Sequence, residues 1–408
     1  MSVQAICATV NLVKANSESL SHPAASVEVL VIGGGVIGSS IAYHLAQQGC
    51  KVLVVERNEV AVEPAASWAS AGGIRLWEQD PPEVGLAHAA IARWPTLADE
   101  LGADLQYRQG GHLLLAENGV EAEHLRTVVR SQHELGFADL AFVDREALFS
   151  LVPGLGEQVV AGLWSPTSGQ ADPRLTTRAF ASAAQRYGAV YWTGTECLAL
   201  QRVTNRIVGA QTGRGLVQAE HVVLTAGAWS RELATSIGIQ LPLRVRVLQV
   251  LLSTPAPPGI LTPVLSAVGR ALSLKQQADG AFVLGGGWLG DPSPDNRSYS
   301  LREENRAGNW ENACALFGPV RQQQCIGAWG GLQAHILDDL PLIGSFSELG
   351  GLTLALGSWY GFALSPAIGK SVADHIAGRP APELARLSPD RIARFDPDQV
   401  AAFLAASI

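Results

Sequence analysis

At 408 residues, with 47% hydrophobic and only 16% charged residues, the chain is long enough for roughly two or three domains and too apolar to be disordered. A net charge of −8 argues against a nucleic-acid partner. Five cysteines (Cys7, Cys50, Cys197, Cys314, Cys325) without a CxxC pair argue against a zinc site or a disulfide framework and read as buried free thiols in a reducing cytoplasm.

Residues 1–26 form a poorly patterned leader whose only basic residue is Lys14; it does not read as a secretory signal, and no apolar run in the chain is long enough to span a membrane. The first pattern follows at once. Val27–Ile32 is a β-branched run that stops at glycine, as a buried parallel strand does. Gly33-Gly34-Gly35-Val36-Ile37-Gly38 then fits GxGxxG, Ser39–Gln48 has helical spacing ending at Gly49, and Lys51–Glu56 is a second strand closed by an acid. Gly33 permits the tight turn, Gly35 lets backbone approach a pyrophosphate, and Gly38 lets the helix pack on the strand. The free N–H groups and dipole of the helix start favour an anion. Glu56, followed by Arg57, stands where a carboxylate bonds ribose hydroxyls.

Further along, Ser67–Arg75 is a run of small residues ending in a cation, which suits a loop passing close under a flat ring. Residues 83–101 and 119–135 read as helices. Val222–Thr225 is a strand from which Ala226-Gly227-Ala228-Trp229 turns sharply. Short apolar runs at Val245–Leu252, Ala271–Lys275 and Ala281–Leu284 read as strands, and Gly290–Ser298 as a loop. Near the end, Leu352–Leu356 is a strand and Gly357–Leu364 a glycine-bearing turn. Ser365 and Pro366 suit the N-cap and N1 of a helix running to Ala377. A nicotinamide dinucleotide would not require the turns at Gly227 and Gly361.

Taken in order, these pieces resemble the D-amino-acid oxidase superfamily of flavoproteins, in the branch containing glycine oxidase, sarcosine oxidase and the β subunits of sarcosine oxidase and dye-linked amino-acid dehydrogenases. The matches are the Gly33 fingerprint, Ser70-Ala71-Gly72-Gly73, Gly110-Gly111-His112-Leu113, Gln170-Ala171-Asp172-Pro173, Thr225–Trp229, Trp329-Gly330-Gly331-Leu332, Asp339–Gly344 and Gly361–Pro366. The resemblance implies an α/β fold. A discontinuous Rossmann-like FAD domain would comprise 27–85, 155–240 and 325–385. An α+β substrate domain on an antiparallel sheet would take 86–154 and 241–324, leaving 386–408 as a tail. It assigns to FAD the residues Gly33, Gly35, Val36, Ile37, Gly38, Glu56, Arg57, Ser70, Ala71, Gly72, Gly73, Cys197, Ala226, Gly227, Trp229, Gly331, Gly357, Gly361, Phe362, Ala363 and Leu364.

The same resemblance implies oxidation of the C–N bond of a small amine or amino acid by hydride transfer to flavin. Arg75 is the first candidate beside the flavin, with a surface pairing to Glu78 as its alternative. Trp359 and Tyr360 are candidate pocket walls; Gln249, His335 and His112 are further candidates. Three departures stand out. Gln333 occupies the place of the arginine that grips a substrate carboxylate, and Ala363 the place of a lysine found in some sarcosine oxidases. Gly331 stands where some members attach flavin through cysteine, which implies non-covalent FAD. The strand Phe282-Val283-Leu284 lacks the lysine that assists oxygen in some oxidases, which leans the expectation towards a dehydrogenase with an electron-transfer partner subunit.

Overall fold

The computed structural model describes residues 24–75, 77 and 80–406. The leader and Cys7 thus lie outside the described residues, apart from residues 24–26; Ala25 and Ser26 already belong to the first strand, Ala25–Ile32. That strand ends where Gly33 adopts φ +106°, and the helix Val36–Gln47 begins three residues before the expected Ser39. The strand Val52–Val55 then pairs parallel to Ala25–Ile32.

Around this βαβ unit an eight-stranded sheet forms. Its parallel run is Leu349–Leu356, Gly215–Leu224, Ala25–Ile32, Val52–Val55 and Val190–Trp192. The run is apolar and β-branched because its central strands are covered on both faces. On one face lie the helices Val36–Gln47, Pro173–Arg186 and Gly361–Ile376, joined by Val84–Leu101. The last presents Leu86, Ala90, Trp94, Leu97 and Leu101 as one buried helical stripe.

A second sheet has ten strands and is antiparallel except where Val264–Ala267 runs parallel to His112–Ala116. The expected helices and the three short strands of residues 242–290 are present, as Val84–Leu101, Gly119–Glu134, Leu243–Pro255, Ser273–Gln276 and Ala281–Gly285. Sheet membership, however, divides the chain differently from the expected segments. Ala161–Ser165 and Cys325–Ile336 hydrogen-bond into the second sheet, and Val84–Leu101 packs on the first. Leu289–Pro292 is a short strand that overlaps the start of the expected loop. Residues 386–408 are not a bare tail: Pro389–Arg394 and Pro397–Ala405 are helical. Cys325 is exposed rather than buried, while Cys50, Cys197 and Cys314 are half-buried free thiols.

The last large helix starts at Gly361, not at Ser365, so Pro366 lies inside it. Proline cannot donate to the carbonyl four residues back. The Ser365 hydroxyl donates to that carbonyl, Phe362 O, at 2.8 Å instead, which lets the helix run on through the proline. The same helix meets Val36–Gln47 at near backbone contact: a Cβ on Gly369 would lie 2.0 Å from Ser40 Oγ and 2.7 Å from Ser40 Cβ. Gly369→Ala is therefore expected to lower the thermal midpoint through overpacking worth about 1–3 kcal/mol. Gly119→Ala adds a carbon that meets nothing within 4 Å and is expected to leave the midpoint unchanged or raise it. Differential scanning fluorimetry of the two variants checks this; equal midpoints would contradict close helix packing.

Candidate active site

The glycine turn is built by steric necessity. At Gly33 a Cβ would sit 2.6 Å from Thr225 O, and at Gly38 one would sit 2.0 Å from Gly33 O. The Thr225 hydroxyl lies 2.9 Å from both Ile32 O and Gly33 O, tying the second glycine turn to the first. Gly35 occupies the N-cap of the first helix with no side-chain cap, and the Val36 N–H donates to Ser67 Oγ at 2.9 Å. Glu56 closes the cradle: its Oε2 accepts from Gly34 N–H at 2.7 Å and its Oε1 from Asn58 N–H at 2.9 Å. Burial pushes this carboxyl up, while those N–H donors and Arg57 pull it down. The Arg57 guanidinium lies 4.3 Å from the Trp229 ring centroid, and Trp229 Nε1 donates to Asn296 O at 2.8 Å. The Cys197 thiol nearby is pushed up by burial to about 12, which keeps it protonated at neutral pH.

These residues line a cleft of about 480 Å³ running from Glu56 to Gly361 and Phe362. Gly33, Gly35, Val36, Ile37, Arg57, Ser70, Cys197, Ala226, Gly227, Trp229 and Gly357 all face it. Gly38 lies behind, where the helix packs. Ala363 and Leu364, expected at the cofactor, are buried away from the cleft, and Ala363 O accepts from Trp94 Nε1 at 2.8 Å. The first turn of the Gly361 helix has no side-chain cap, so its N–H groups and dipole face the cleft unopposed.

A second cavity of about 430 Å³ adjoins the first and shares Ala66, Ser70, Gln333 and Trp359 with it. Ala71, Gly72, Gly73, Arg75, Tyr360 and Gly331 line this one. The small-residue segment is held by the long strand Cys325–Ile336: Leu332 N–H donates to Pro64 O and Trp329 Nε1 to Ala69 O, both at 2.9 Å. Residue 331 can only be glycine here, since a Cβ would lie 2.3 Å from Ala69 Cβ. Arg75 donates to the Tyr360 hydroxyl and lies 5.3 Å from the Trp77 and Tyr360 ring centroids. Its alternative partner Glu78 lies outside the described residues.

Several candidates take other roles. Gln249 lines the second cavity but is buried, and its amide is committed to the backbone of one residue, accepting from Arg302 N–H at 2.8 Å and donating to Arg302 O at 3.4 Å. His335 lines neither cavity; its Nε2 pairs with Asp339 Oδ1 at 3.0 Å and its ring meets Phe403. His112 does face the second cavity, with Nε2 3.0 Å from Ser266 Oγ; burial, then the Arg75 charge, holds it well below the ordinary histidine range. Tyr360 and the half-exposed Trp359 are placed as pocket walls.

Two buried cations escape the sequence reading. Lys275 stands directly opposite Val283 in the antiparallel pair, so an ammonium does reach this neighbourhood from the adjacent strand. Its Nζ donates to Ala171 O at 3.2 Å behind Gly72, and burial lowers it to about 8. Arg246 stands opposite Gln333 in the same way. Neither residue has a motif of its own; only strand register brings each into place.

The arrangement fits FAD. A glycine cradle and helix start suit the pyrophosphate, Glu56 suits ribose, and an elongated cleft leads to a small-residue floor beside an uncapped helix. The comparisons agree. A family model described as "DAO: FAD dependent oxidoreductase" matches residues 28–375, so the chain belongs to that family of FAD-dependent oxidoreductases. A glycine oxidase of Pseudomonas aeruginosa is 30% identical, over 87% of this chain and 96% of that protein. Mitochondrial dimethylglycine dehydrogenase of Mus musculus is 26% identical over 89% of this chain but 44% of its own length; the chain spans about half or less of the first curated relatives it matches. Among solved structures, L-proline dehydrogenase from P. horikoshii superposes with a TM-score of 0.83 at 26% identity, covering 91% of this chain and 98% of that one.

Glu56→Ala leaves two N–H donors of the cradle without their acceptor and is expected to weaken FAD binding about 10–100-fold, the cost of hydrogen bonds to a charged group. Titration of the flavin-free protein with FAD, followed by fluorescence quenching, measures this. An unchanged affinity would remove Glu56 from the cofactor site.

Proposed function

We propose that this chain oxidises the C–N bond of a small secondary or primary amine, such as an N-substituted glycine, an opine or an imino acid. The observation that carries the reading is the meeting of two cavities at Ser70, Gln333 and Trp359, one shaped for a dinucleotide and the other small and lined by Arg75 and Tyr360. Non-covalently bound FAD supplies a hydride acceptor. The substrate carbon gives up a hydride, its nitrogen loses a proton, and water hydrolyses the resulting imine.

The protein's part is positional and electrostatic. The Arg75 charge disfavours a protonated amine in the cavity, so the substrate nitrogen keeps the lone pair that expels the hydride. The same charge and the uncapped start of the Gly361 helix favour negative charge at the cavity junction. Tyr360, bonded to Arg75, fixes its direction. Gly331 leaves no room for a thiol, which supports non-covalent attachment.

Anaerobic stopped-flow against secondary amines, D-amino acids and opines tests this. At least one is expected to bleach the oxidised-flavin band near ~450 nm, as a hydride acceptor requires. A flavin-loaded protein that no amine bleaches would overturn the reading. Rapid return of colour in air assigns an oxidase; slow return assigns a dehydrogenase that passes its electrons to another acceptor. Arg75→Ala is expected to retain FAD and slow reduction about 100-fold, the usual cost of removing a preorganised electrostatic group. Unchanged reduction kinetics would exclude Arg75 from the chemistry.

A further inference from the structure

The strands Leu243–Pro255 and Cys325–Ile336 pair antiparallel, and in that register Arg246 lies directly opposite Gln333. Residues opposite one another project to the same face of a sheet. Gln333 and Trp359 line both cavities; Arg246 itself lines neither, but it is paired with the first and covered by the second, and so stands behind the junction.

Arg246 is buried, at 7% exposure, yet two of its nitrogens, Nε and Nη2, have no hydrogen-bond partner. These two form one side of the guanidinium, the parallel fork that matches the two oxygens of a carboxylate. The nearest acid forms a long ion pair but no hydrogen bond with it: Asp339 Oδ1 stays 4.0 Å from Nη2 and already accepts from Trp359 Nε1 at 2.8 Å and from His335 Nε2 at 3.0 Å. Two further buried polar atoms in the same corner are unbonded, Gln333 Oε1 and Ser358 Oγ, while Gln333 Nε2 donates to Ser358 O at 3.0 Å. Burying an unpaired guanidinium edge is costly and is tolerated where a ligand completes it.

Trp359 covers the flat face of the guanidinium at 3.8 Å from its ring centroid, and is itself 42% exposed. Burial lowers Arg246 only to about 10, so it stays charged at neutral pH.

We propose that Arg246 anchors a carboxylate group of the amine substrate through its Nε–Nη2 edge, with Trp359 shifting to admit it and Gln333 Oε1 accepting from the substrate N–H. The substrate is then an amine that also carries a carboxylate, and the cation absent from position 333 is supplied across the strand pair. This rests on the proposed amine oxidation, but the anion site is testable without it.

The experiment uses the FAD-loaded full chain as wild type, Arg246→Lys and Arg246→Met. Acetate and benzoate are titrated while the flavin difference spectrum is followed. Sarcosine and N-methylethylamine, which differ in the carboxylate, are compared as reductants. In Arg246→Met the carboxylate Kd and the sarcosine KM are expected to rise about 100-fold, with kcat and the reduction by N-methylethylamine little changed, as loss of a bidentate charged contact predicts. Arg246→Lys keeps the charge without the fork and is expected to show about a 10-fold rise. If Arg246→Met does not retain FAD, Arg246→Lys carries the test. Equal losses for both amines, or an unchanged acetate Kd, would overturn the anchor, as would a wild type whose flavin neither acetate nor benzoate perturbs. If no amine reduces the wild type but carboxylates bind and Arg246→Met abolishes that binding, the anchor stands and the proposed reaction falls.

Discussion

The site depends most on the pairing of two long strands, Leu243–Pro255 and Cys325–Ile336. Their far ends carry Leu251 and Ala328 in the core of the second sheet. Their near ends carry Leu243, Ala334 and Ile336 in the core beneath the parallel sheet. One continuous hydrogen-bonded ladder therefore passes from one core to the other, and the cavities sit beside its midpoint. The ladder also sets how closely the small-residue segment approaches: Gly331 rests against Ala69, and Leu332 bonds to Pro64. A side chain at 331 would push that segment away and open the floor between the two cavities. Glycine at 331 and alanine at 69 are thus one steric requirement expressed at two positions.

Electrostatics are arranged around that geometry. Two helix starts without side-chain caps, at Val36 and Gly361, meet the same cleft from strands that flank Gly215–Leu224 in the parallel sheet. Each offers a positive dipole end, the Val36 N–H being bonded to Ser67 Oγ, and the chain places no acid at either first turn. Glu56, the carboxylate at the glycine turn, is spoken for by Gly34 and Asn58 N–H groups and faces the cleft beside Arg57. The two helix starts thereby offer local positive dipole ends within a cleft whose lining also carries Glu56, Glu59, Glu196 and Glu232, which suits phosphates and an electron-rich ring held at those ends.

How much of this was legible in the sequence follows the range of the interactions. The βαβ cradle was readable because its constraints are local: Gly33, Gly35 and Gly38 act within a few residues, and the strands on either side are continuous apolar runs. The order of later motifs extended the reading to the small-residue loop and the Gly227 and Gly361 turns. The start of the last helix was misplaced because Ser365-Pro366 matches a capping pattern locally. Its use as a mid-helix repair, with the serine hydroxyl satisfying Phe362 O, depends on the Tyr360 turn beginning the helix earlier. Domain limits slipped for a similar reason. Nothing local says that Cys325–Ile336 pairs with the second sheet while its end packs in the first. His335 read as a pocket residue, but the helix Pro397–Ala405 brings Phe403 onto it.

Register explains the remaining misses and gives them a common meaning. At Gln333 the sequence lacks a cation, and at Val283 it lacks a lysine. Each position has a directly opposed partner on the adjacent antiparallel strand, Arg246 in one case and Lys275 in the other. Opposed side chains start about 5 Å apart on the same face, a distance that a long arginine or lysine spans readily. A charge can therefore move across a ladder with little change in where its head group stands, while every alignment of single positions records its loss. Both cations are buried and both are lowered by desolvation, to about 10 and about 8 respectively, as is expected of charges held close to a dry site rather than displayed at the surface. The unit that specifies such a site is the strand pair, and a departure at one residue is informative only once its partner across the ladder has been read with it.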